Sequence, residues 1–195
     1  DEYRVKFDDG TIRWLSGNAT PQKQADGSVL WHGFITDITE RKQVVDELAT
    51  EKNRIDLIIQ GNQLGTWEWN VQTGETIFNN QWAELIGYTI DEISPASIKT
   101  WRAFVHPDDL IVSDKFLEQH FNKETNHYEC QVRMKHKNGK WVWVLDRGKV
   151  HTWDKEGKPL LMSGTHVNIN AQKKVEQELA IEKQRLASIL EGTNV

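Results

Sequence analysis

The chemistry open to this sequence depends first on its histidines and on one pair of adjacent carboxylates. No histidine falls in a metal-ligand spacing such as His-Glu-x-x-His. His106 precedes Pro107, a residue suited to the first position of a helix, so we predict that His106 shapes a helix entry. Asp108 and Asp109 follow where a helix dipole favours negative charge, which predicts dipole stabilisation rather than a metal site. The seven histidines are His32, His106, His120, His127, His136, His151 and His166.

Cys130 is the only cysteine among 195 residues, which excludes an intramolecular disulfide and a cysteine-rich zinc site. It alternates with polar residues in step with Tyr128, Val132 and Met134, so we predict an inward thiol that behaves as a small buried hydrophobe. The sequence also lacks a Walker loop, a phospho-acceptor histidine motif and a Gly-Gly-Asp-Glu-Phe-like run. We therefore predict that this stretch of chain is not an enzyme.

The composition narrows the classes of partner. A net charge of −5 and a pI near 5.8 argue against nucleic acid or an anionic membrane as the main partner. The uninterrupted apolar runs are far too short to span a bilayer, and the chain opens on polar sequence without a signal peptide. We expect a cytoplasmic protein with no membrane contact by this stretch. A membrane anchor elsewhere in a longer protein is left open.

The sequence repeats itself at a domain-sized period. Gly10 matches Gly139 at an offset of 129 residues, and from Gly33, which matches Gly164 at an offset of 131, the similarity runs without gaps to the end. A period of this size indicates tandem domains and not a solenoid.

The repeat predicts four segments. Residues 1–37 form the C-terminal part of a first domain, and residues 38–61 form a helical linker. Residues 62–168 are a complete second domain, and residues 169–195 are a second helical linker that leads to a third repeat.

The complete copy predicts an α+β fold. Strands followed by helices and then by three more strands indicate one five-stranded antiparallel sheet with helices on one face. Strands are predicted at Thr66–Val71, Thr76–Phe78, Tyr128–His136, Lys140–Trp153 and Leu160–Val167; helices at Gln81–Ile86, in short pieces over Ile90–Ile98, and from His106 to about Asn122.

The segment Trp141–Leu145 departs from the alternation of a half-buried strand, because it is apolar on both faces. Helices of the same repeat can cover only one face of the sheet. The other face is therefore predicted to be covered from outside the repeat.

The repeat resembles the PAS domain with its C-terminal PAC motif, in particular a Trp-rich bacterial subclass. The first copy also carries the usual exit motif of that family, Asp37–Lys42, from which the second copy, Asn168–Lys173, departs. The resemblance implies the PAS fold and a sensor or relay module of a bacterial signalling protein, upstream of a histidine kinase or a cyclic-di-nucleotide enzyme. The matching segments are Gly65–Asn70 with Thr73 and Gly74, Trp82–Tyr88, Val105–Asp109, Asn138–Trp143 and Gly164–Ile169.

Both linkers carry the same heptad spacing, with a glutamate at the same seam position. We predict a weak parallel homodimer through these seams and through the outer face of the sheet, which passes signals to neighbouring PAS and output domains of the same chain. The alternative is that each helix only packs on its own domain. The seam residues are Val44, Leu48, Glu51, Ile55 and Ile58 in one linker, and Val175, Leu179, Glu182, Leu186 and Ile189 in the other.

The cleft between sheet and helices is the candidate ligand site. Its large side chains either line a pocket or fill it as an ordinary core. Some PAS relatives bind flavin, haem or small carboxylates, so the resemblance leaves open no cofactor, flavin, haem or a small metabolite. It also makes His120, on the long helix, a candidate haem ligand. The predicted lining is Phe78, Trp82, Ile86, Trp101, Phe104, Val132, Trp143 and Met162.

Overall fold

A computed structural model describes the backbone of residues 1–192 and the side chains of residues 1–189. Its internal contacts divide the chain into two compact units, Asp1–Ile58 and Ile59–Val195. The last three residues of the predicted second linker, 193–195, lie outside the described part. The boundary between the units falls inside the predicted first linker, and the assignment of residues 1–37 to the end of a first repeat stays a prediction.

The first unit is built on a three-stranded antiparallel sheet in the order β1-β2-β3. Gly10 and Gly27 make the turns between these strands, each with φ of +86°, a conformation that favours glycine. Helix α1 follows the last strand and contains no buried residue. The elements are β1 (Glu2–Lys6), β2 (Ile12–Lys23), β3 (Val29–Asp37) and α1 (Thr39–Gly61).

The second unit has a five-stranded antiparallel sheet in the order β5-β4-β8-β7-β6. Four helices follow one another in the chain between β5 and β6. The predicted α+β fold is therefore confirmed. The elements are β4 (Gly65–Asn70), β5 (Thr76–Phe78), α2 (Asn80–Leu85), α3 (Ile90–Ile93), α4 (Ile98–Phe104), α5 (Pro107–Phe121), β6 (Tyr128–Lys135), β7 (Trp141–Trp153), β8 (Pro159–Asn168) and α6 (Asn170–Gly192).

Local sequence accounts for most of the helix starts. The Asn79 side chain accepts from the N–H of Trp82 (2.9 Å) and caps α2. Pro107 is at the first position of α5, and His106 Nδ1 accepts from the N–H of Asp108 (3.3 Å), so His106 shapes this helix entry as predicted. Helix α4 extends to Phe104, beyond the short helical pieces predicted over Ile90–Ile98.

The core of the second unit lies between the sheet and its helices. Trp82, Ile86, Val132, Met134 and Met162 have no measurable solvent exposure. Alternate residues of β6 and β7 enter this core, which follows from the two-residue period of a strand.

Strand β7 alternates in the structure although its sequence does not. Val142 and Val144 are buried in the core, whereas Trp143 and Leu145 lie on the outer face and are half-buried. Trp143 pairs with Arg133, an outward residue of β6, so the prediction that Trp143 lines the cleft is wrong.

Among the described residues, no helix has the length and apolar character needed to cross a membrane.

Candidate functional site

The centre of the second unit contains a buried polar network around Asp146, a residue only 3% exposed. Its Oδ1 accepts from Trp67 Nε1 (3.0 Å) and lies 2.9 Å from His166 Nε2. Its Oδ2 accepts a longer bond from the hydroxyl of Tyr128 (3.3 Å), which in turn lies 2.8 Å from Ser113 Oγ. A buried carboxylate is tolerated when several donors surround it, and here three elements of the sheet supply them.

Two glycines make room for the indole that reaches this network. Gly148 of β7 and Gly164 of β8 are directly paired in the sheet. A Cβ atom at either position would overlap the ring of Trp67. The absence of side chains therefore allows the Trp67 ring to pack closely against these two strands and donate to Asp146.

The network fixes the protonation of two neighbouring groups. Burial, and next the nearby Asp146 carboxylate, raise the pKa of Tyr128 well above its ordinary value, so this hydroxyl remains a donor. The same two causes raise the pKa of the Cys130 thiol to about 11. Cys130 is buried as predicted and is not a reactive thiolate at neutral pH.

A cavity of about 30 Å³ lies next to this network. Three residues that line it have a buried ring nitrogen without a hydrogen-bond partner in the described part of the chain, namely Trp69 Nε1, Trp101 Nε1 and His166 Nδ1. The full lining is Trp67, Trp69, Thr76, Phe78, Ile98, Trp101, Leu117, Tyr128, Asp146 and His166.

The predicted cleft residues divide into four groups. Phe78 and Trp101 line the cavity. Phe104 is partly buried beside Trp82, with ring centroids 6.3 Å apart. Trp143 lies on the other face of the sheet, as noted above. The remaining residues, Trp82, Ile86, Val132 and Met162, fill the core without lining the cavity.

Sequence reasoning missed Asp146 and His166 as site residues. A signal was present, because Asp146 shares the inward parity of Val142 and Val144, and His166 that of Met162. A charged residue at an inward strand position requires buried partners. The sequence does not show which residues those partners are.

The start of α6 is bonded to the middle of β7. The N–H of Trp143 donates to Asn170 Oδ1 (2.8 Å), and the N–H of Ile169 donates to the carbonyl oxygen of Trp143 (2.9 Å). Asn168 Oδ1 accepts from the N–H of Asn170 (2.9 Å). The ammonium of Lys173 lies 5.0 Å from the Trp143 ring centroid. These contacts fix the point at which the exit helix leaves the sheet.

The first unit repeats this junction with different side chains. The N–H of Trp14 donates to Thr39 Oγ1 (2.9 Å), and its carbonyl oxygen accepts from the N–H of Ile38 (2.8 Å). Asp37 Oδ1 accepts from the N–H of Thr39 (2.9 Å), and Lys42 lies 4.9 Å from the Trp14 ring centroid. In the second unit Asn168 and Asn170 take the places of Asp37 and Thr39 and make the same hydrogen bonds.

Comparison with known proteins agrees with this geometry. Residues 75–166 match the family described as the PAS fold. A crystal structure of a sensory box histidine kinase/response regulator from Burkholderia thailandensis is 26% identical, with a TM-score of 0.60, and the match covers 69% of this chain and 98% of that one. The second unit contains a PAS sensor domain.

Two curated relatives extend the similarity along the chain. Uncharacterized protein y4lL of Sinorhizobium fredii is 25% identical over 186 residues, which are 95% of this chain and 22% of that protein. Peroxide stress-activated histidine kinase mak3 of Schizosaccharomyces pombe is 29% identical over 125 residues, which are 64% of this chain and 5% of the kinase. The chain thus spans less than a quarter of either relative.

The cleft of this PAS domain does not fit haem or flavin. Both nitrogens of His120 are used within the protein, since Nε2 accepts from the N–H of Val150 (3.1 Å) and Nδ1 lies 3.1 Å from the carbonyl oxygen of Thr125. His120 therefore bridges α5 and β7 and offers no free nitrogen to iron. Pockets for ligands of this size occupy roughly 300–1,000 Å³, about ten times or more the cavity present here.

The carboxylates at the start of α5 have a structural role. Burial alone would raise the pKa of Asp109, but its hydrogen bonds with Arg133 outweigh burial and hold that pKa below its ordinary value. Arg133 donates from Nε (2.8 Å), from Nη2 (2.7 Å) and from its backbone N–H (2.8 Å). Asp108 is largely exposed. Among the described residues no cluster of three or more His, Cys, Asp or Glu side chains could hold a metal ion.

The seam residues of α1 and α6 face solvent. The apolar ones are between 49% and 69% exposed, so neither helix buries its seam on its own unit. The seam glutamates have matching partners, because Arg54 lies 3.8 Å from Glu51 and Arg185 lies 3.7 Å from Glu182. The exposed apolar seam residues are Val44, Leu48, Ile55 and Ile58 in α1, and Val175, Leu179, Leu186 and Ile189 in α6.

Proposed function

We propose that this stretch is a non-catalytic signal-relay module that dimerises and passes conformational change through its helices to neighbouring domains. The observation that carries the proposal is the exposed heptad seam, present in both α1 and α6. A stripe of half-exposed valine, leucine and isoleucine on a charged helix is costly in water, and a second copy aligned in parallel would cover it.

The outer face of the PAS sheet offers a second surface for the same dimer. Leu145 and Val167 are paired neighbours on this face, and Trp143 lies beside them under the cations of Arg133 and Lys173. All three apolar side chains retain partial exposure. Because Trp143 also bonds to Asn170, a partner on this face would act directly on the start of α6.

Dimerisation can be tested by sedimentation velocity at high micromolar concentration. We expect a dimer for the chain and a monomer for the double variant Leu48→Glu/Leu179→Glu. The matched control is Asn53→Glu/Gln184→Glu, which adds the same charge on the side of each helix opposite the seam. We expect this control to remain a dimer. A strictly monomeric chain at this concentration would refute the dimer.

Neighbouring domains of a longer cytoplasmic protein are proposed as the recipients of the signal. The similarity to histidine kinases supports an output of that class, and the match covers only a small part of the kinase mak3. The exit helix is the connection, since it begins at the junction with Trp143 and continues to residue 192.

A sensing role for the cleft is a second candidate. The specific observation that favours it is a set of buried ring nitrogens without a partner among the described residues, three of which belong to residues that line the cavity. A core that only served packing would be expected to pair such groups or to exclude them.

A further inference from the structure

His120 is a buried ionisable side chain that neither the relay nor the cavity uses. It lies in the last turn of α5 and is 3% exposed. Its Nδ1 lies 3.1 Å from the carbonyl oxygen of Thr125, and its Nε2 lies 3.1 Å from the backbone nitrogen of Val150. A carbonyl oxygen only accepts and a backbone N–H only donates, so the ring is the neutral tautomer with its proton on Nδ1.

The N–H of Val150 depends on this ring because the neighbouring strand has ended. The ladder between β6 and β7 stops at the pair of Tyr128 with Gly148, two residues before Val150. The pairing of β7 with β8 becomes irregular directly after Val150. A buried N–H without an acceptor is unfavourable, and His120 supplies the acceptor that a longer β6 would have supplied. We call the bonds of His120 to Val150 and Thr125 the His120 clasp.

The clasp also holds the turn of residues 122–127 that follows α5. Lys123 has φ of +63°, a left-handed conformation that is uncommon for a residue other than glycine. The N–H of Lys123 donates to the carbonyl oxygen of His120 (3.0 Å), and the N–H of Glu124 donates to that of Gln119 (2.9 Å). Thr125 then returns to His120 Nδ1. Loss of this bond removes one of the contacts that stabilise the turn.

A charge on the ring would have no compensating partner in place. Within the part of the chain that the structure describes, His120 takes part in no ion pair. An unpaired buried charge is costly, so a charged ring has to reach solvent. The ionisable side chains that flank it are Glu118, Lys123, Glu124 and His127 on α5 and its turn, and Lys149 and His151 on β7, all exposed, with Tyr128, Cys130, Asp146 and His166 buried in the core of the sheet.

A second proton would break the clasp. It would bind to Nε2, the nitrogen that accepts from Val150, and would place two N–H groups against each other. Once turned to solvent, the cationic ring lies at the C-terminal end of α5, where the helix dipole favours positive charge. Proton uptake and release are therefore linked: the clasp is kept at high pH and lost as the pH falls.

We propose that the His120 clasp is a proton-operated switch, which holds the end of α5 and its turn on β7 while the ring is neutral and releases them when the ring is charged. Leu117 and Phe121, on either side of His120 in α5, line the groove between α4 and α5, so release loosens one wall of this groove. The inference goes beyond the relay function, because it gives the PAS domain a response to acid that does not depend on dimerisation.

Two measurements on the intact chain test the clasp. The first is the tautomer of His120 by ¹⁵N NMR, for which we expect a proton on Nδ1 and none on Nε2 at about pH 8. The second is hydrogen exchange at the Val150 amide, relative to the intrinsic rate at each pH, from about pH 8 to about pH 5, the range in which histidine changes its charge. Protection of Val150 should fall roughly tenfold, as for the loss of one hydrogen bond. Val132 and Val144, inside the ladder, should keep theirs.

His120→Gln separates proton uptake from the hydrogen bond. The glutamine amide can present an oxygen to the N–H of Val150 but takes up no proton in this range, so Val150 should stay protected at both ends of it. His127→Gln is the matched control, because His127 lies in the same turn with its side chain 44% exposed. This control should respond to pH as the unmodified chain does.

Three results would overturn the inference. They are a proton on Nε2 of His120 at the alkaline end of the range, unchanged protection of Val150 across the range, and a loss of protection that persists in His120→Gln. The last result would assign the response to another group, such as His166. The first two are measured on the unmodified chain, so the test does not depend on the folding of a variant. A chain that is monomeric in sedimentation would refute the dimer and leave the clasp standing.

Discussion

The backbone N–H of Trp143 donates to the side chain of Asn170 at 2.8 Å, and this bond joins a central strand of the PAS sheet to the first residue of the exit helix. Trp14 and Thr39 make the equivalent bond at 2.9 Å in the first unit. Two different acceptors serve one geometry, so the position requires a hydrogen-bond acceptor and not a particular residue. This bond therefore ties the backbone of the sheet at Trp143 to the start of α6.

This relationship predicts the effect of changing the acceptor. Asn170→Ala leaves the N–H of Trp143 without its partner and should lower the free energy of unfolding by about 0.5–1.5 kcal/mol, the usual net value of one hydrogen bond. Amide hydrogen exchange should accelerate over the first turns of α6. Asn170→Thr, which copies the first unit, should restore most of the protection. Equal exchange in both variants would contradict this role for the acceptor.

The buried network predicts a large effect at Asp146. Asp146→Asn replaces one of the two acceptor oxygens by an amide NH₂ group. This group would face the donors Trp67 and His166 if it takes the place of Oδ1, or the donor Tyr128 if it takes the place of Oδ2. We expect a loss of about 3 kcal/mol in urea unfolding and a displaced Trp67 indole NMR signal. Glu68→Gln, an exposed carboxylate on β4, is the control and should change neither. A shift of the unfolding midpoint no larger than that of the control would contradict this account of the network.

The close packing of the Trp67 ring against Gly164 predicts that a side chain at position 164 destabilises the fold. Gly164→Ala places a Cβ against the indole ring and a neighbouring carbonyl oxygen, so it should destabilise the PAS domain by about 1–3 kcal/mol through overpacking. Thermal unfolding measures the change. Gly61→Ala has open space around the added methyl group and should be neutral or slightly stabilising. Equal melting temperatures for the two variants would show that the ring moves aside freely.

Cys130 predicts a loss of stability at alkaline pH. Burial first, and the Asp146 carboxylate next, raise the pKa of its thiol in the folded protein from 9.0 to about 11. As the pH rises from 9 to 11 the unfolded chain loses this proton first, so the free energy of unfolding falls by about 1.4 kcal/mol per pH unit from this group. Tyr128 shifts in the same direction, and its contribution adds at higher pH.

The check is urea unfolding of Cys130→Ala across the same pH range. The variant should start less stable at neutral pH, because a buried side chain is truncated. Its stability should then decline less steeply than that of the unmodified chain between pH 9 and 11. Parallel curves would show that Cys130 does not contribute to the alkaline loss.

Local sequence was sufficient for most of the fold. Asn79 and Pro107 set the starts of α2 and α5, and alternation located β6, because capping and strand period depend on residues close together in the chain. The internal repeat located the two linker helices in advance. The candidate site was predicted less completely, since Phe78 and Trp101 line the cavity while most of the other predicted residues only pack around it.

What the sequence alone determined is therefore the α+β element order, the repeat and the heptad spacing of both linkers. Tertiary structure decided the face on which Trp143 lies, because a strand that is apolar on both sides does not reveal which side the helices cover. It also decided that Trp67 meets Asp146, 79 residues further along the chain. Such a contact depends on strand order and register, which are set by the pairing of whole strands and not by the residues next to either partner.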